Sequence, residues 1–160
     1  DQDPQLASIA VIQVSGWDTH TGADPLGAFG VGGLLGSLDD GFQILKDGLG
    51  TEWNNTVVVA LSEFGRRAEV NSSLGFDHGT GGLCFLLGGA LNSNGGPVLG
   101  DFPGLNPAQL FEGRDLAITT DCRAIFKGLL RDHLAVDPAA LNTTIFPDSS
   151  TIAPMGSLIS

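Results

Sequence analysis

The chain has 160 residues, room for one domain, and with 42% hydrophobic and 16% charged residues it is too apolar to be disordered. Eighteen acidic against seven basic residues give a net charge of −11, which argues against a phosphate-backbone partner, so no nucleic acid is expected. No apolar run approaches the roughly 18–20 residues of a membrane-spanning helix; the longest, 81–91, is broken by glycines.

In chain order, a start at Asp1 without Met or targeting segment is expected of a processed product or part of something longer. Residues 9–14 (IAVIQV) form a β-branched run ending in Ser15-Gly16, which predicts a buried strand. Leu34, Leu38, Phe42, Leu45 and Leu49 fall at helical spacing, and the glycines before them place the helix start near Gly33. Residues 56–61 (TVVVAL) are apolar on both faces, as a central parallel strand is. A polar loop over 62–81 follows, then a third strand, 83–87 (LCFLL). The Asn, Gly and Pro of 92–113 predict irregular structure.

A helix is expected from Asp121 to about Val136, with Thr119 and Thr120 available as caps and Pro138 as a stop. Its apolar face is Cys122, Ile125, Phe126, Leu129, Leu130 and Leu134, with Arg123, Lys127 and Arg131 facing away. A domain over 1–147 and a polar tail over 148–160 complete the chain, with a short edge strand at 144–146. Strands alternating with helices predict an α/β domain with a mainly parallel sheet flanked by helices. In such a sheet chemistry gathers beyond the carboxyl ends of the strands. Cys84 and Cys122 are too few for a disulfide scaffold, and their apolar settings favour buried free thiols over a bridge. Asn54, Asn71 and Asn142 open N-x-Ser/Thr triplets.

Three groups sit at the expected strand ends: Gly16-Trp17-Asp18-Thr19-His20, Ser62-Glu63-Phe64-Gly65-Arg66-Arg67 and Phe76-Asp77-His78-Gly79. Asp18, His20, Glu63, Asp77 and His78 together supply the oxygen and imidazole donors that suit zinc, manganese or iron. Plainer readings stand beside this one. Asp18-Thr19-His20 also reads as an Asx-type turn, Glu63 with Arg66 as an ion pair, and Asp77-His78-Gly79 as a tight turn. His133 reads as a packed histidine, Asp115 as the ion partner of Arg114, and Asp121 as a helix cap. The glycines of 30–36 miss the dinucleotide fingerprint, no Gly-Lys-Ser/Thr P-loop is present, and Ser62 lacks a nucleophile-elbow context.

These three groups, followed by Arg114-Asp115-Leu116 and Thr119-Thr120-Asp121-Cys122-Arg123, resemble in order the motifs of the bacterial domain of unknown function 1501, over about residues 8–147. That family is related to alkaline phosphatases and sulfatases, and its members are usually exported. The resemblance implies an alkaline-phosphatase-like α/β fold of which this chain is the C-terminal portion. It implies a secreted or periplasmic protein with a divalent metal ion (zinc, manganese or calcium) as cofactor. Asp18 and His20 look like a first ligand pair, Glu63 like a metal-binding acid, and His78 like the last histidine. Asp77 stands as ligand or orienter, and Arg66 as the cation that holds an ester oxyanion.

Two departures qualify this: relatives show Asp-His where this chain has Glu63-Phe64, and wider spacing than that between Asp18 and His20. The nucleophile belongs to the earlier half of the domain, so that missing half, or a partner chain, is an expected partner. The resulting expectation is a metal-dependent hydrolase of small-molecule or polymeric phosphate or sulfate esters when complete. The alternatives are a non-catalytic metal-binding or cell-surface assembly module, and a plain scaffold.

Overall fold

The computed structural model describes residues 9–27, 30–95 and 98–160. Residues 28–29 of the Gly-rich stretch and 96–97 of the expected irregular stretch lie outside it. Helix α1 runs Val31–Leu49 and ends where Gly50, in the left-handed region, donates its N–H to Lys46 O. Strands β1 (Val58–Leu61) and β4 (Cys84–Leu87) pair, as do the two-residue strands β2 (Gly65–Arg66) and β3 (His78–Gly79). Helix α2 covers Cys122–Asp132, and the single turn α3, Pro138–Ala140, continues into a π-helical turn over Leu141–Ile145.

The mainly parallel sheet expected from the sequence does not form. Both sheets have two antiparallel strands, with Val58 opposite Leu87 and Leu61 opposite Cys84 in one, and Arg66 opposite His78 in the other. A parallel neighbour needs a crossover of a dozen or more residues, usually helical. The residues between β1 and β4 instead fold into the β2–β3 ribbon and its loops, so the chain returns antiparallel. The apolar run 9–14 joins no ladder among the described residues; Val11 is 92% and Ile12 75% exposed. Nor is the sheet flanked by packed helices: Leu35, Leu38 and Phe42 of α1 share an open cleft with Phe85 and Leu87 of β4, and none of the nineteen residues of α1 is buried. The expected edge strand at 144–146 is replaced by the π-helical turn and its exit.

The core lies elsewhere, where α2 meets the C-terminal segment. Leu129, Leu141 and Leu158 are buried there, with Lys127 at 0% exposure among them. The residues after 147 are bound to the body: Met155 N–H donates to Ala124 O, Asn92 N–H to Leu158 O, and Leu91 bridges Ile159. A side chain at Gly128 would strike Met155 O, so glycine lets the segment lie against α2. The helix cap is Asp121, whose carboxylate accepts from Arg123 N–H at 2.9 Å, rather than Thr119 or Thr120. The helix ends at Asp132, short of Val136, because Ala135 turns into the left-handed region and Val136 N–H closes on Leu130 O. Cys84 and Cys122 are free thiols, half-buried and exposed respectively.

The total accessible surface is 11,016 Å² for 16.5 kDa. A compact monomer of this mass exposes about 7,500 Å². Exposed apolar side chains on segment 9–14, on α1, in the loops (Leu26, Leu74, Phe102) and on Leu61 and Phe85 of the first sheet, 47% and 43% exposed, contribute to the excess.

Arg114 holds the Asp115 carboxyl below the usual carboxylate range, and Arg123 does the same for Asp121. A carboxyl whose folded pKa lies below its unfolded one adds stability above the unfolded value, and that stability is lost as pH falls through the folded value. Thermal stability is therefore expected to hold from neutral to mildly acid pH and to decline from the ordinary carboxylate range downward. Melting scans between pH 7 and 2 measure this, with Asp115→Asn expected to flatten the acid-side slope.

Candidate metal centre

The loop after segment 9–14 and the loop between β1 and β3 are laced together by backbone. Gly22 and Ala23 donate to Ser73 O and Leu74 O, and Phe76 donates to Thr19 O. Gly75 closes against His20 so tightly that a side chain there would overlap the His20 carbonyl. This lacing delivers residues 58–60 positions apart in sequence to one place. Asp18 Oδ1, His20 Nε2 and His78 Nε2 form a triangle with sides of 3.1 Å (His20–His78), 2.9 Å (His78–Asp18) and 3.1 Å (His20–Asp18).

That triangle is the fit test for a cation. Bonds of about 2.0–2.1 Å at ordinary interligand angles hold neighbouring donor atoms roughly 2.9–3.4 Å apart. The three atoms already have that spacing, and two imidazoles with one carboxylate are donors that suit zinc or manganese. All three side chains are about half exposed, so the site is open on one side.

Four residues position the triangle. Arg66 NH1 donates to Phe76 O at 2.7 Å, and NH2 donates to Trp17 O and to Asp18 Oδ1, both at 2.9 Å. One guanidinium thus joins the Asp18 loop to the His78 strand. Phe64 stacks on the His78 ring at 3.8 Å between centroids, with the Arg66 guanidinium 4.9 Å from the centre of the Phe64 ring. Asp77 Oδ1 faces His20 Nδ1 at 3.5 Å, long for a hydrogen bond but placed to favour a proton on Nδ1 and a lone pair on Nε2. Asn71 donates to Asp77 Oδ1 at 2.9 Å and to His20 O at 3.0 Å, while its own Oδ1 accepts from Ser73 N–H and Gly75 N–H.

The carboxyls feel these neighbours. A hydrogen bond from His78, helped by Arg66, holds Asp18 below the usual carboxylate range. Asn71, then His20 and Arg67, do the same for Asp77. Both stay ionised, as a cation site requires.

Of the predicted site residues, Asp18, His20 and His78 come together, Asp77 stands directly behind His20, and Arg66 braces Asp18. Glu63 is exposed and makes no hydrogen bond or ion pair among the described residues; the pairing expected of it with Arg66 goes to Asp18 instead. Arg114 and Asp115 pair as expected, at 2.7 Å, with Asp115 1% exposed. His133 caps the end of α2, half-buried. Phe64 and Asn71 were not singled out from sequence for this site. Phe64 lies two residues before Arg66, and Asn71 within an N-x-Ser triplet, and neither pattern announces a neighbour 14 or 51 residues away.

Residues 6–145 match the family model described as "Protein of unknown function (DUF1501)". No curated protein and no solved structure matches the chain.

Proposed function

The chain belongs to the DUF1501 family, and on that premise we propose that it is a metal-dependent hydrolase of phosphate or sulfate esters, related to alkaline phosphatases and sulfatases, whose divalent ion is held by Asp18, His20 and His78. The observation that carries the reading is the triangle of donor atoms, 2.9–3.1 Å on a side. A bound ion would supply Lewis acidity to an ester oxygen and charge for the oxyanion. The chain's own residues do the rest. Asp77, 3.5 Å from His20 Nδ1, favours the His20 tautomer that leaves Nε2 unprotonated. Asn71 fixes Asp77. Arg66, with NH1 and NH2 committed to Phe76 O, Trp17 O and Asp18, acts on this reading as the brace of the site rather than as the direct holder of an oxyanion.

Further polypeptide, from the same protein or a partner chain, belongs to this reading as the source of the nucleophile and of cover for segment 9–14 and α1. Its working compartment would be secreted or periplasmic, as expected of the family. The exposed apolar surface also favours a second reading, a metal-binding assembly module without turnover.

Elemental analysis of chelator-free protein tests both. About one equivalent of zinc, manganese or calcium is expected, lost in His20→Ala and His78→Ala. Phosphate and sulfate ester screens on the full-length protein then separate the readings: hydrolysis that disappears with the metal supports the first, and metal without hydrolysis the second. No metal uptake after adding all three ions would sink both.

A further inference from the structure

Beside the metal triangle, on the far side of Asp77, an open cleft of about 250 Å³ is lined by Arg67, Arg114, Asn71, Asp77 and Glu69 among others. Arg67 and Arg114, two of only seven basic residues in a chain of net charge −11, line this cleft. Backbone pairing holds the two cleft arginines side by side. Arg67 bridges Asp115 and donates its N–H to Asp77 O, and Ala68 donates to Arg114 O.

The charges are not equally committed. Asp115 is buried and spends both oxygens on Arg114, at 2.7 and 3.2 Å, which locks that guanidinium in place. Asp77 is engaged by Asn71 and faces His20. Arg67 makes one long contact, 3.4 Å from NH1 to Asp77 Oδ2, so most of its donor fork is unspent. Glu69 is exposed and has no ion partner among the described residues. A guanidinium fork with free donors fits the oxygens of a phosphate, sulfate or carboxylate.

We propose that the Arg67–Arg114 cleft is a second anion subsite, so that the ester hydrolysed at the metal centre carries a further acidic group one Asp77 carboxylate away. The assignment to a substrate rests on the hydrolase reading above. Anion binding itself does not, because it is measured without metal. Arg67 grips the oxyanion with its unspent donors and Arg114 adds only NH1, since its Nε and NH2 are held by Asp115 with Glu112 3.8 Å from NH2, while Glu69 opposes the anion and restricts the cleft to ligands whose charge lies on the arginine side.

The test is calorimetric titration of metal-free protein with inorganic phosphate at low salt, where exposed charges are least screened. Arg67→Gln is expected to weaken phosphate binding about ten-fold, the loss of one charge-assisted hydrogen bond. Glu69→Gln is expected to tighten it about three-fold. Arg67 is the chosen probe because replacing Arg114 strands the buried Asp115. Metal content in the same samples reports separately on the metal centre. Two results would overturn the subsite: no phosphate bound by the wild type, or unchanged affinity in Arg67→Gln, which would place the anion elsewhere.

Discussion

Lys127→Met is expected to lower the thermal midpoint by about 6–12 °C and to release the C-terminal segment. The ammonium is fully buried and has spent all three protons, on Asn142 Oδ1 at 2.7 Å, Ser149 O at 2.5 Å and Ile152 O at 3.0 Å. Methionine fills nearly the same space and leaves those three oxygens facing a methyl group. Stranding a buried polar atom costs about 1–3 kcal/mol. Removing the lysine also relieves the cost of burying its charge, so a net loss of about 3 kcal/mol is a fair expectation. That is a large part of the roughly 5–15 kcal/mol by which domains are stable. Amide exchange in 141–155 should quicken together with the lower midpoint. A midpoint within about 2 °C of wild type would mean the ammonium is replaceable by packing alone.

Arg66→Gln is expected to weaken metal binding by about 10–100-fold while leaving the protein folded. The guanidinium ties together two carbonyls and a carboxylate that come from segments far apart in sequence. Without it, Asp18 loses a close partner on the oxygen that completes the triangle, and the ion must order that loop at its own expense. Arg66→Lys is expected to rescue little, because a single ammonium cannot span Phe76 O, Trp17 O and Asp18 as the planar fork does. Zinc affinity by chelator competition measures both variants. Wild-type affinity in Arg66→Gln would show that backbone lacing alone places Asp18. Full rescue by lysine would show that only the charge matters.

Residue by residue, the site was more legible than the fold. Asp18, His20 and His78 stood out because each sits in a short polar group after an apolar run, and Asp-x-His and Asp-His-Gly are unusual neighbours in a chain with only three histidines. Glu63 had equal standing by that measure and is left outside the triangle, since no hydrogen bond draws its loop inward. Arg66 was recognised as belonging to the site, but its two carbonyl partners are set by the β2–β3 register. Asn71 and Phe64 act through neighbours more than fifty residues away in one case and fourteen in the other, and a local pattern carries no such information.

Lys127 shows the same limit in the core. Its place among Arg123 and Arg131 on the polar stripe of α2 predicted solvent, and the C-terminal segment folded over it. Helical periodicity reports which side of a helix is apolar; it does not report that a loop with three free carbonyl or amide oxygens will arrive there.

What the sequence determined by itself is local: the two helices α1 and α2, the apolar runs that became β1 and β4, the Asp121 cap, and the donor types available for a cation. Each depends on contacts within a few residues, so periodicity and capping chemistry suffice. The tertiary structure alone decided the antiparallel direction of both sheets, the lack of any ladder for 9–14 among the described residues, the burial of Lys127 and the triangle itself. All of these turn on which distant segments meet. A strand apolar on both faces records that it needs neighbours, and leaves open which neighbours those are, because hydrophobic burial is non-directional and the ladder bonds that fix direction are made by a backbone common to every residue.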